Sequence, residues 1–243
     1  MATTDYGIDA PQTLSNLYWR AGTFAAFGIG IYMMNRRELP GPAFTLMLVL
    51  LLIAAGFLAV AILMRQASQT GKLALRDTII NKIQWTGEEK VLDVGCGRGL
   101  LLIAAAKQLK KGRATGVDIW DPASLSANSQ QNTIAMAKAE GVADRVKVET
   151  GDARNLTYGD NSFDVVLSST TLHELPDAEN RQLAIEEMVR VTKPGGQIAI
   201  FDVMHAGEYA EVLRNAGVEQ IDDSHKTWLW LVPGRLVVGR KKA

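Results

Sequence analysis

Three glycines at alternate positions, Gly95, Gly97 and Gly99, join an apolar stretch to a helix-forming one in VLDVGCGRGLLL, residues 91–102. An apolar strand, a tight glycine turn and a helix N-terminus together cradle a nucleotide-like ligand, since the helix end presents unpaired amides. Asp93 closes the strand. The spacing is G-x-G-x-G, and Leu100 stands where a dinucleotide fingerprint has its third glycine, which turns the expectation from NAD to another adenosine-bearing cofactor. Asp118, about 20 residues beyond the turn at the end of a second apolar stretch, is spaced to accept hydrogen bonds from ribose hydroxyls. Asp152 follows the alternation of Val146 and Val148. The candidates for proton transfer are His173 and Glu174 in STTLHELP, then His205 and Tyr209 further on, because histidine titrates near neutrality. Packing on a loop is the plainer role open to each. His225 lies among Asp223, Ser224 and Lys226 and reads as solvated surface, and Asp222 with Asp223 as a solvated turn. No tight metal-ligand spacing is present. The single cysteine, Cys96, excludes an internal disulfide and reads as a small residue tolerated in a crowded turn.

These residues need a frame, and the periodicity supplies one. Apolar strands are expected at 91–94, 114–117 and 163–167, at the Val146/Val148 alternation, and after the turn in VTKPGGQIAIFD from Val191. Helices are expected at 100–109, at 129–140 with Gly141 as its stop, at 178–191 capped by Asp177, and at 208–216. Two final strands, 219–231 and 236–240, flank Pro233-Gly234, read as a hairpin turn. Alternating strands and helices predict an α/β, Rossmann-like, doubly wound and mostly parallel sheet of seven strands, with an antiparallel last strand.

With four motifs in this order, the chain from about Thr86 onward resembles the class I S-adenosylmethionine-dependent methyltransferases, in particular the small-molecule branch that includes the ubiquinone and menaquinone methyltransferases. The resemblance implies S-adenosylmethionine as cofactor. By position, Gly95, Gly97 and Gly99 would let the backbone approach its methionine part, and Asp93 would orient the loop and the cofactor's amino group. Asp118 would take the ribose hydroxyls, Ile119 and Trp120 would flank the adenine, and Asp152 with the Ala153 backbone would read the adenine amino edge. Cys96 and Ser168 complete the expected cofactor set.

The remaining third of the chain is different in kind. Residues 43–64 (AFTLMLVLLLIAAGFLAVAILM) carry no charge, and about 22 residues at 1.5 Å each reach about 33 Å, enough to cross a bilayer core. Residues 21–34 are apolar but shorter, between Tyr18-Trp19-Arg20 and Arg36-Arg37. They either span, making a helical hairpin closed at Pro40-Gly41-Pro42, or lie in the interface. The first residues carry Asp5 and Asp9 instead of a basic region, which speaks against a cleaved signal peptide. The expected organisation is a membrane region at 1–66 with helices 14–34 and 43–64, a linker and lid helix at 67–90, and a methyltransferase domain at 91–243. SQTG at Ser68 is expected to break the helix before an apolar period restarts at Lys72–Gln84.

Twenty-six basic residues against 26 acidic ones give no net pull toward nucleic acid. No inserted cap fits between Asp202 and Val218, so an acceptor pocket would come from the Lys72 helix, Trp120–Asn128, Ser168–Pro176 and Trp228–Val232. Trp228 and Trp230 share one strand face, either as core or as an aromatic wall. The expected protein is a two-pass integral membrane methyltransferase, its domain facing the cytoplasm where the cofactor is made, that acts on a lipid- or quinone-like small molecule. Oxygen, nitrogen and carbon acceptors, the use of a base, and a homo-oligomer through the membrane helices stay open. The alternatives are a soluble acceptor with the helices only as anchor, and a non-catalytic cofactor-binding assembly or sensing protein.

Overall fold

The structure, a computed structural model, describes residues 6–35, 41–229 and 232–243. Of the expected turn Pro40-Gly41-Pro42, residue 40 lies outside them, as do Arg36, Arg37 and Trp230, while Gly41 and Pro42 are not a turn and already belong to the second helix. Two long helices come first, α1 (Pro11–Met34) and α2 (Gly41–Gln66). They pack along a seam of residues seven apart, mostly small, with Leu14, Ala21 and Gly28 buried on one and Ala54 and Ala61 on the other. A Cβ on Gly28 would come within 3.1 Å of Leu51, so glycine allows the close approach. Phe24 stacks on Phe57 at 5.8 Å between ring centroids. The outer faces are apolar and uncovered. Of the 20 large apolar side chains exposed among the described residues, 16 belong to α1 and α2.

SQTG does not break the helix. Ala67–Gly71 forms a π-helical turn that carries α2 directly into α3 (Lys72–Lys82), because Gly71 keeps right-handed helical angles and one widened turn absorbs the extra residue. The continuous run Gly41–Lys82 is the one helix among the described residues long and apolar enough, by length and composition, to cross a membrane.

The domain that follows has seven strands, β1 (Lys90–Val94), β2 (Arg113–Asp118), β3 (Val146–Thr150), β4 (Phe163–Ser169), β5 (Thr192–Asp202), β6 (Val218–Leu229) and β7 (Val232–Lys241). Their order across the sheet is 3-2-1-4-5-7-6. The first five are parallel, and β7 runs antiparallel between β5 and β6. The order reverses between β1 and β4, which opens a crevice beyond their carboxyl ends. Helices α4 (Leu100–Gln108) and α5 (Gln130–Ala139) join α3 on one face, and α6 (Ala178–Val191) and α7 (Ala206–Asn215) cover the other. Ser129 and Asp177 cap α5 and α6 by accepting from the Asn132 and Asn180 amides.

Pro233-Gly234 is not the hairpin turn. Both residues lie within β7, opposite Trp228 and Thr227, and a Cβ on Gly234 would fall 2.3 Å from the Phe201 ring. The glycine therefore serves sheet packing, a use that a turn signal in sequence does not separate from reversal.

Candidate functional site

The crevice at the ends of β1 and β4 is a cavity of about 280 Å³. Its floor is the glycine turn. Gly95, Gly97 and Gly99 all have positive φ, at 73°, 49° and 84°, the region an L side chain rarely adopts. Amides of Gly95 and Cys96 both donate to the Val117 carbonyl, which pins the turn to β2. The space where Gly95 lacks a Cβ is filled by Thr171, 2.1 Å from the ideal atom position. At Gly97 a Cβ would meet only Leu125, at 2.9 Å, so here the absent side chain keeps the cradle open. Gly99 borders the turn as the residue before α4 and does not itself line the cavity.

Asp93 is buried at the end of β1 beside the first turn of α4. Burial pushes its carboxyl up to about 7, against a hydrogen bond from the Leu102 amide and with the Asp118 charge adding to the rise. Asp118 lines the cavity and accepts from the Gly97 amide at 2.8 Å, the Trp120 amide at 2.6 Å and the Asn128 side chain at 3.2 Å. Ile119 is exposed at the cavity rim. Trp120 turns away. With φ at 64° its indole donates to Thr150, and its ring is not part of the wall. Asp152 and Ala153 line the cavity, with Asp152 held below the usual carboxylate range first by the Arg154 guanidinium it accepts from. Cys96 lines it too, its thiol pushed well up by burial and by the Asp93 and Asp118 charges. Gly116 on β2 makes the room, since a Cβ there would lie 2.7 Å from the Cys96 sulfur. Ser168 is buried in β4 outside the wall, and its neighbours Ser169 and Thr170 take its place.

Beyond β4 the backbone turns sharply. Thr170 holds φ at 52°, a strained value for a β-branched residue, and its amide donates to the Phe201 carbonyl. That turn delivers Thr171, His173 and Glu174 to the cavity. His173 Nδ1 lies 2.6 Å from Asp202 Oδ1, and the His173 amide donates to Asp202 Oδ2 at 2.9 Å. Asp202, at the end of β5, is completely buried and also accepts from the Tyr209 hydroxyl at 3.1 Å and the Val203 amide at 2.8 Å. With Asp202 as its acceptor, the imidazole donates through Nδ1 and leaves Nε2 as the nitrogen that can accept. Burial lowers the His173 pKa, and the hydrogen bond and charge of Asp202 outweigh it, leaving the ring above the usual histidine value. Burial likewise pushes Glu174 up to about 7.

Two expected acid–base residues are not brought to the cavity. Tyr209 is buried with its hydroxyl on Asp202, and His205 precedes α7 with φ at 59°, half exposed and 3.5 Å from Glu208. Asp202 is the residue that the sequence reading missed. Its only local signal is the acid that closes the apolar run IAIFD. Of the expected wall segments, the Lys72 helix, the loop after β2 and the segment after β4 all contribute, and Tyr6, Asp9 and Ala10 from the N-terminus join them. No group of three or more metal-ligating side chains occurs among the described residues.

Comparison with known proteins agrees with this geometry. The methyltransferase domain family matches residues 92–200. The chain is similar to methyltransferase GfsG of Streptomyces halstedii, at 32% identity over 138 residues that make up 57% of this chain and 46% of the relative. It is similar to the demethylmenaquinone methyltransferase of Lactobacillus johnsonii, at 32% identity over 52% of this chain and 49% of the relative. The chain thus spans about half the length of these curated relatives. Among solved structures, a SAM-dependent methyltransferase from Aquifex aeolicus superposes with a TM-score of 0.53 and 20% identity, covering 68% of this chain and 88% of that one, a likeness of fold. The sheet order and the glycine cradle agree with the matched segment: residues 92–200 are similar to a methyltransferase domain.

Proposed function

We propose that the protein is a membrane-held methyltransferase acting on a hydroxyl-bearing, apolar small molecule of lipid or quinone type, with His173 as general base. The observation that carries this reading is the His173–Asp202 pair at the cavity wall. A base is needed only where the acceptor loses a proton on methylation, which a hydroxyl does, whether the methyl goes to oxygen or to a ring carbon that the hydroxyl activates. The names of two similar proteins, demethylmenaquinone methyltransferases of Lactobacillus johnsonii and Lactiplantibacillus plantarum, add weight to a quinone-type acceptor.

The cradle suits the cofactor in shape and in acceptors. It has an open face at Gly97, a carboxylate at Asp118 for ribose hydroxyls, Ile119 and Ala153 beside the adenine and Asp152 toward its amino edge. Asp93 would face the cofactor's positively charged end. When bound, the cofactor supplies an electrophilic methyl on a sulfonium. The chain's own residues do the rest. His173 Nε2 accepts the acceptor's hydroxyl proton as the oxygen becomes nucleophilic. Asp202 holds the ring in the tautomer that leaves Nε2 free of hydrogen and stabilises the imidazolium that forms. Tyr209 keeps Asp202 in place. The cavity walls would limit water and hold the reacting atoms in line.

The uncovered apolar faces of α1 and α2 support insertion of the hairpin in a bilayer, since a helix apolar all round needs an apolar surrounding. The domain then faces the cytoplasm, where the cofactor is made. The test is to supply methyl-labelled cofactor to membranes holding the full chain and to identify the labelled product. A hydroxyl-bearing or quinol-derived compound in the organic extract is expected, and label confined to protein, nucleic acid or water-soluble amines would refute the proposal.

A further inference from the structure

The first described residues line the cavity. The Ile8 amide donates to Ser126 Oγ at 2.7 Å, the Ser126 amide to the Ile8 carbonyl at 2.9 Å, and the Ala10 amide to the Ser124 carbonyl at 2.8 Å. These bonds, with an antiparallel bridge from Asp9 to Leu125, tie residues 8–10 to the loop after β2. Gly7, with φ at 82°, lets the chain lie this close, as a Cβ there would fall 3.0 Å from Arg98, Leu125 and the Ser126 carbonyl. Tyr6, Asp9 and Ala10 thereby form part of the same wall as Gly95, Gly97 and Asp118.

Lys72 holds this segment from the other side. It is 6% exposed, donates to the Tyr6 carbonyl at 3.0 Å and the Gly7 carbonyl at 2.5 Å, and lies 3.6 Å from the Asp9 carboxylate. A buried ammonium is tolerable only when acceptors replace its water, and here the strap supplies them. The chain path gives this contact its meaning. Residues 6–10 run straight into α1, and Lys72 follows α2 through the π-helical turn, so both helices of the hairpin end at one latch over the cofactor cavity.

We infer that residues 6–10 are a strap controlling entry and exit of the adenosyl cofactor and its thioether product, and that Lys72 is the positioning residue that keeps the strap closed. This rests on the cavity being the cofactor site and not on the identity of the acceptor. The test uses the full chain in lipid nanodiscs, with S-adenosylhomocysteine as the probe and its dissociation rate as the readout. Lys72→Met should speed dissociation at least tenfold. The pair Ile8→Cys and Ser126→Cys, adjacent across the bonded strap, should slow exchange at least tenfold when oxidised and recover on reduction. The buried Cys96 thiol is not expected to join the pairing. Oxidising the same pair in a Lys72→Met background should restore slow exchange, which a general loss of packing at Lys72 would not allow. Should Lys72→Met fail to fold, the cysteine pair alone decides. Equal exchange rates in the oxidised and reduced pair, or a folded Lys72→Met with the parent rate, would overturn the strap. Absence of any binding by the parent chain would instead overturn the cofactor reading.

Discussion

The hairpin and the domain place their apolar residues on opposite sides. In the domain, Leu92, Val94, Val166, Ile198 and Ile200 are fully buried and the surface is charged. In α1 and α2 the buried seam is built mostly of small residues, while Trp19, Phe27, Leu52 and Ile62 face outward at half or more of their full exposure. Burying a large apolar side chain is worth about 1.5–3 kcal/mol. A water-soluble chain that left this many outside would forgo much of its driving force, which is the physical basis of the proposed bilayer insertion. Small residues would suit the seam there, because between helices in lipid close packing replaces the hydrophobic effect as the source of association.

Substitutions on the two sides should therefore separate cleanly. The largest effect expected is on chemistry: His173→Gln should lower turnover by about 10²–10⁴-fold in a transfer assay while leaving cofactor affinity and membrane association as they were. The base must be neutral to accept a proton. Since Asp202 holds His173 above the usual histidine value, activity should rise with pH through a midpoint alkaline of about 6.5. Next is Leu52→Arg, on the outer face of α2, which places a charge near the middle of the candidate span at a cost of about 2.5–3.5 kcal/mol. Flotation of membranes should show the chain leaving the bilayer fraction, with S-adenosylhomocysteine affinity unchanged. Unaltered flotation would break the comparison.

Asp118→Ala should act only on the domain side. Losing a charge-assisted hydrogen bond of this kind costs roughly 1.5–3 kcal/mol, or about 10- to 150-fold in cofactor affinity by calorimetry, with flotation intact. Because Asp118 also accepts from the Gly97 amide, some loosening of the glycine turn should accompany the loss.

The smallest effect is in stability against pH. Asp93 and Glu174 are both pushed up to about 7, and His173 is raised as well. Each of these groups holds its proton in the folded chain over a range where the unfolded chain has released it. Stability is thus present at low pH and falls as pH rises through these values. Thermal melts without cofactor should lose a few degrees between about pH 4 and 8, from the unfolded carboxyl values up through the folded ones, less so in Asp93→Asn, and added cofactor should offset the loss by favouring the Asp93 carboxylate. Membrane association should not vary over the same range.

How much of this was legible in the sequence follows from how local each signal is. The glycine turn, Asp118, Asp152 and the cap at Asp177 each announce themselves within a few residues, and the parallel sheet follows from alternation. The His173–Asp202 pair does not, because its members are 29 positions apart and meet only through the register of β4 on β5. The strap was illegible for the same reason, since residues 6–10 find their partners more than 60 positions away and carry no periodicity. Ser68 and Pro233-Gly234 misled in the other direction. Breaker residues state a preference, and a continuous helix or a crowded sheet contact can override it.

The central claim is that the apolar hairpin brings the domain to an acceptor dissolved in the same bilayer. It is tested most directly by reconstituting the full chain in vesicles carrying a total lipid and quinone extract, mixing them with equal vesicles that hold the extract but no protein, and adding methyl-labelled cofactor. Label in the apolar extract of the protein-bearing vesicles alone, abolished by His173→Gln, is the predicted result. Equal labelling of both vesicle populations, or label only in the aqueous phase, would contradict it.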